Sequence, residues 1–138
     1  MTTKTKKSVK KDPGFDYKTI KTFQDACTKA GVDPAALPDI SGIPEEFRKP
    51  ITAAYKLLII YTAINDGWKP DWGNHDQCKY YPWYRVLSSG FGFSDTYYNF
   101  VNTYTDVGSR LCTDTREKVL YIAKQFKDLY QDYFLYSE

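Results

Sequence analysis

The fifteen residues Ile51-Thr52-Ala53-Ala54-Tyr55-Lys56-Leu57-Leu58-Ile59-Ile60-Tyr61-Thr62-Ala63-Ile64-Asn65 decide the fold. They are good helix formers or apolar on nearly every face, and a helix that is apolar all round belongs in the centre of a protein. Asp66-Gly67 ends it. Pro44-Glu45-Glu46 makes a good helical start, with proline at the first position and acids against the positive end of the dipole. Pro50 is expected to interrupt or restart the helix before Ile51. The most apolar run, residues 57–61, is short. A membrane span needs roughly 20 apolar residues, so the run reads as core.

Upstream, residues 33–44 form a connector punctuated by Pro34, Pro38 and Pro44. Before it, Thr22 reads as a helix N-cap, with Asp25 three residues on to answer the free N–H groups. Phe23, Ala26, Cys27 and Ala30 then share one helical face, and Gly31 supplies a left-handed stop with Val32 as its apolar clasp. Asp12-Pro13-Gly14 is a turn. Ahead of it lie Lys4, Lys6, Lys7, Lys10 and Lys11 with no acid among residues 1–11. The chain of 138 residues carries a net charge of +2, so residues 12–138 alone stand at −3. Residues 1–14 are accordingly read as a flexible basic arm on a single domain over 15–138. The lysine-rich start lacks the apolar stretch of a secretory signal. Cys27, Cys78 and Cys112 are too few and too scattered for a disulfide framework, which fits reduced thiols in a cytoplasm.

Downstream, the segment from Trp68 to Tyr104 holds 12 of the 24 aromatic residues. Residues 69–74 read as a loop. Residues 78–87 and 91–101 are rich in strand-favouring types and flank Ser88-Ser89-Gly90, which predicts an antiparallel hairpin. Pro82 places its first strand at an edge or a bulge. A further short strand is expected through Tyr104 or at Arg110-Leu111-Cys112. Asp114 and Glu117 then open a final helix whose apolar stripe runs through Val119, Ile122, Ala123, Phe126, Leu129, Tyr130, Tyr133 and Phe134. Helices, then strands, then a helix predict an α+β fold, a small antiparallel sheet packed with about three helices.

Several stretches together resemble small uncharacterised proteins of bacteriophages and mobile elements of gut anaerobes. They are Gly67-Trp68-Lys69-Pro70-Asp71-Trp72, Tyr80-Tyr81-Pro82-Trp83-Tyr84, Gly90-Phe91-Gly92-Phe93-Ser94, Gly108-Ser109-Arg110-Leu111-Cys112, Ala123-Lys124-Gln125-Phe126 and Asp128-Leu129-Tyr130. Thr113 departs from the resemblance, which leads one to expect an aromatic residue there. The group has no established activity. The resemblance therefore implies a phage or mobile-element setting in a bacterial cytoplasm, and no site residue.

The sequence lacks a Walker loop, and Gly90-Phe91-Gly92 has neither the third glycine nor the helix that a dinucleotide site needs. A nucleophile elbow and a zinc-protease motif are also missing. His75 is the single histidine, and its neighbours Asp71, Asp76 and Cys78 lack a second ligand pair, so neither metal nor cofactor is expected and no catalytic residue is assigned. The aromatic segment exceeds ordinary core needs. Nine of its rings belong to Tyr or Trp, the types that dominate binding hot spots. Strand alternation would turn Tyr81, Trp83 and Arg85 one way and Tyr80, Tyr84 and Val86 the other. The function expected is thus a non-enzymatic accessory protein that binds a host or virion protein through an aromatic hairpin surface, with Trp72, Tyr81, Trp83 and Arg85 as contacts. The alternative is a single-stranded nucleic-acid binder that stacks bases on Tyr or Trp and holds phosphates with Lys4, Lys6, Lys7, Lys10 and Lys11. Against it, residues 70–112 carry Lys79, Arg85 and Arg110 beside Asp71, Asp76, Asp95 and Asp106, which makes no electropositive groove.

Overall fold

A computed structural model describes residues 11–134 except 75, 83, 88–89 and 93–109, with the backbone alone for 85–87 and 90–92. Residues 1–10 of the basic arm therefore lie outside the described residues. After a 3-10 turn at Tyr17–Thr19 come helices α1 (Phe23–Ala30) and α2 (Glu45–Asn65). A ribbon follows, strands β1 (Arg85–Leu87) and β2 (Gly90–Gly92), and then α3 (Arg116–Gln125) and α4 (Lys127–Phe134).

Helix α1 forms as its caps dictate. The Asp25 N–H donates to Thr22 Oγ1 at 3.1 Å while the Thr22 N–H donates to the Asp25 carboxylate at 3.0 Å. This reciprocal box satisfies N–H groups that have no partner within the helix. Gly31 closes the other end at φ 70°, and the Val32 N–H reaches back to the Cys27 carbonyl at 2.9 Å.

Helix α2 runs unbroken through Pro50, against the expected interruption. Proline in the second turn forfeits one hydrogen bond, to the Glu46 carbonyl. Arg48 ties that turn to the connector by donating Nε–H to the Ile43 carbonyl at 2.8 Å. Further along, Leu57, Ile59, Ile60, Tyr61, Ala63, Ile64 and Asn65 are all buried, so this half of the helix is covered on nearly every side. Its cover is α1, α3, α4 and the residues just before α3.

The α+β expectation is corrected here: the fold is helical. Among the described residues four α-helices build it, and the strand pairing is confined to three residues of β1 against three of β2, Arg85 opposite Gly92 and Leu87 opposite Gly90. So short a ribbon offers no sheet face on which helices could pack. Of the strand expected over 78–87, residues 85–87 form β1, while 78–82 and 84 run without regular structure apart from an isolated bridge between Tyr80 and Thr113. Aromatic residues favour strands because they fit a half-buried pleated surface, and here the helices provide the apolar surface instead. Residues 93–109, including the strand expected through Tyr104, lie outside the described residues.

The final helix is also corrected. Phe126, at φ −114° and ψ 31°, divides it into α3 and α4. The N-cap is Thr115, whose hydroxyl accepts from the Lys118 N–H at 3.3 Å. Asp114 instead pairs with the Lys118 ammonium at 3.0 Å. Phe126 and Tyr130 both lie in the core cluster with α2. Tyr121 on α3 donates its hydroxyl to the Ile20 carbonyl at 2.7 Å, fastening the start of the domain to its end.

Asp66, the left-handed cap of α2 at φ 48°, gathers three parts of the chain. Its carboxylate meets Lys29 Nζ of α1 at 2.7 Å and accepts the Asp12 N–H at 3.0 Å. Burial works to raise this carboxyl, but Lys29 and the Asp12 N–H outweigh it and hold it below the usual carboxylate value. A carboxyl lowered in this way stabilises the fold above its unfolded value near pH 4, and the contribution is lost as pH falls through the lowered folded value.

At the centre, the hydroxyls of Tyr61 on α2 and Tyr130 on α4 hydrogen bond to each other, both rings fully enclosed. Burial drives both phenols far above their ordinary range, so the pair stays protonated. Tyr61→Phe leaves the Tyr130 hydroxyl buried without this partner and should cost about 1–3 kcal/mol in urea denaturation. Tyr61→Phe/Tyr130→Phe should cost clearly less than the sum of the single variants. Strict additivity would show that the two hydroxyls do not depend on each other.

Candidate functional site

The loop after α2 is wound on itself by short polar side chains. The Asp71 carboxylate accepts the Gly73 N–H at 3.0 Å, and the Asn74 side-chain oxygen accepts the Asp76 N–H at 3.0 Å. The Gln77 side-chain oxygen accepts the Asp71 N–H at 2.6 Å, closing the loop. These are the turns that Asp and Asn make with the backbone two residues on.

Lys79 lies inside this winding, only 1% exposed. Its ammonium donates to the carbonyls of Asn74 and Gln77 at 3.3 and 3.2 Å and sits 5.5 Å from the centre of the Trp72 ring. Among the described residues no carboxylate pairs with it. Two carbonyl dipoles and an aromatic face are what offset the loss of hydration for this charge. Lys79 was counted in the sequence only as one more base; its burial depends on loop carbonyls that no local pattern announces.

The bridge from Tyr80 to Thr113, with both N–H···O distances at 3.0 Å, lays the aromatic segment along the residues that precede α3. Tyr81 is half-buried, and its hydroxyl acts on the Cys112 thiol. Burial pushes that thiol up to about 11, with the Tyr81 hydroxyl and the Lys79 charge acting in the opposite direction. It is therefore protonated at neutral pH and a poor nucleophile. Cys27 is raised by burial as well. The Cys112 carbonyl accepts from the Asn65 side-chain nitrogen at 2.8 Å, which ties the network to the end of α2. Tyr84 donates to the Ala123 carbonyl at 2.7 Å, its ring centre 4.9 Å from that of Tyr130. Thr113 is fully enclosed and bonds the Thr115 carbonyl at 2.6 Å, so an aromatic side chain there would displace this packing.

Of the residues singled out from the sequence, Trp72 and Tyr81 are thus brought together with Lys79 and Cys112 in one internal polar network. Trp83 and His75 lie outside the described residues, and Arg85 is described only as the backbone partner of Gly92. Lys4, Lys6, Lys7 and Lys10 also lie outside them, and Lys11 is exposed. Among the described residues no cluster of His, Cys, Asp or Glu is arranged to hold a metal ion.

A surface feature that sequence reading missed lies on α2. Phe47, Ile51 and Leu58 are 41%, 37% and 43% exposed. Spaced by four and seven residues, they fall on one helical face. The all-apolar character of 51–65 concealed it: with apolar residues on every side, the sequence does not tell which side is left uncovered. Comparison with family models, curated proteins and solved structures found no match.

Lys79→Met keeps the aliphatic stem and removes the donor from two loop carbonyls. It should lower stability to urea by about 1–3 kcal/mol. An unchanged midpoint would show that the ammonium does not hold the loop.

Proposed function

We propose that the protein acts by binding a partner protein, and that the stripe of Phe47, Ile51 and Leu58 on α2 is the principal contact. The observation that carries this reading is exposure: three large apolar side chains, each more than a third open, stand in line on the most buried helix of the fold. Apolar side chains aligned at helical spacing are how one helix engages an apolar groove on another protein. The aromatic segment takes a second place in this reading. The Trp72 ring faces Lys79 and the Tyr81 hydroxyl is turned to Cys112, so both are engaged internally. Contacts at Trp83 and Arg85 remain part of the proposal. The role in this reading is non-enzymatic. A mobile-element setting in a bacterial cytoplasm is proposed from the resemblance alone. Among the described residues no helix is long and apolar enough to cross a membrane.

A photo-crosslinking amino acid placed at Leu58 should yield one discrete protein adduct in lysate of the bacterial host, while the same group at the exposed Gln131 yields none. Ile51→Ser in the Leu58-labelled protein should weaken that adduct by about 2 kcal/mol of binding, at a fold cost within about 0.5 kcal/mol. No adduct at Leu58, or an adduct to nucleic acid, would contradict the reading.

A further inference from the structure

The connector, α2 and α4 enclose a groove of about 190 Å³ whose lining combines apolar surface with cations. Ala53, Ile40 and Leu129 provide the apolar part, Ala53 buried and the other two half-buried. Arg48, Lys49 and Lys56 line it from α2, and Asp132 lines it from α4. Lys49, Ala53 and Lys56 follow at helical spacing, on the side of α2 away from Phe47, Ile51 and Leu58.

Three cations thus meet one acid. Among the described residues none of the three pairs with a carboxylate. Arg48 is held in place by the carbonyls of Ile43 and Ser41, at 2.8 and 3.4 Å, so its charge is already positioned. Lys56 lies 5.3 Å from the centre of the Phe23 ring. The nearby Asp39 carboxylate is occupied by Ser41, through its N–H at 3.0 Å and its hydroxyl at 2.7 Å. Groups that fit such a groove carry negative charge beside one apolar side chain.

We infer that this groove docks an acidic peptide segment of a partner protein, with one aliphatic or aromatic side chain against Ile40, Ala53 and Leu129 and flanking carboxylates on Lys49 and Lys56. Asp132 repels carboxylates on the α4 side and so fixes which way the segment lies. Charge complementarity is the argument for this occupant: an acidic segment supplies the carboxylates that these three cations lack among the described residues. The inference does not rest on the α2 stripe, which lies on another side of the helix, so either can fail without the other.

The probe is a fluorescein-labelled peptide of glutamates around a single leucine, followed by anisotropy with the full chain. Saturable binding should fall by roughly tenfold or more in Lys49→Glu and in Lys56→Gln, and should tighten in Asp132→Asn. Replacing the peptide's leucine with serine should abolish saturation. Equal binding of the serine peptide, or binding indifferent to Lys49→Glu in a variant whose melting temperature matches the parent, would overturn the groove as the site. Complete displacement of the peptide by dodecanoate at lower concentration would assign the groove to a small amphipathic carboxylate instead. Absence of saturable binding to the unaltered protein would also overturn it.

Discussion

Everything else in the fold depends on the burial of the second half of α2. Leu57, Ile60, Ala63 and Ile64 are fully enclosed and Ile59 and Tyr61 nearly so, on a helix whose apolar residues point in almost every direction. Such a segment is tolerated only when it is covered on most sides, as it is here except along Leu58 and Thr62. One helix cannot do this, and a three-residue ribbon cannot either. α1, α3, α4 and the residues just before α3 all pack against this one helix. Asp66 at its end and the Tyr61–Tyr130 hydroxyl pair at its middle then fix those covers in register.

What could be read in the sequence was what depends on residues close together in the chain. The Thr22–Asp25 box, the Gly31 stop and the end of α2 at Asp66-Gly67 are local chemistry, and each stands where its residues put it. The final segment was legible as an apolar stripe, but not its division at Phe126, because the stripe continues through the break and only packing against α2 reveals it. The sheet was misread for a related reason. Tyr80, Tyr81 and Tyr84 have the side chains of a strand, yet they are positioned by partners remote in sequence: Thr113, Cys112 and Ala123. Propensity registers the need for a half-buried surface and is silent on whether strands or helices supply it.

The candidate surfaces were less legible still. Lys79 reads as a solvated base and is buried among loop carbonyls. Ile51 and Leu58 read as core and, like Phe47, are exposed. Both misreadings have the same origin. Burial is a property of the whole arrangement, so a residue that departs from its type's usual place leaves no local trace. Those departures are where binding is proposed. α2 is at once the element that organises the core and the one that presents two different faces outward, an apolar stripe and a cation-lined groove.

Native-state hydrogen exchange tests the central role of α2 most directly. The amides of Leu57, Ile60 and Ile64 should exchange only through global unfolding, with the free energy and urea dependence of the whole molecule, while those of α1 open at lower cost. Exchange of these α2 amides through a local opening easier than that of Ala26 and Cys27 in α1 would contradict it.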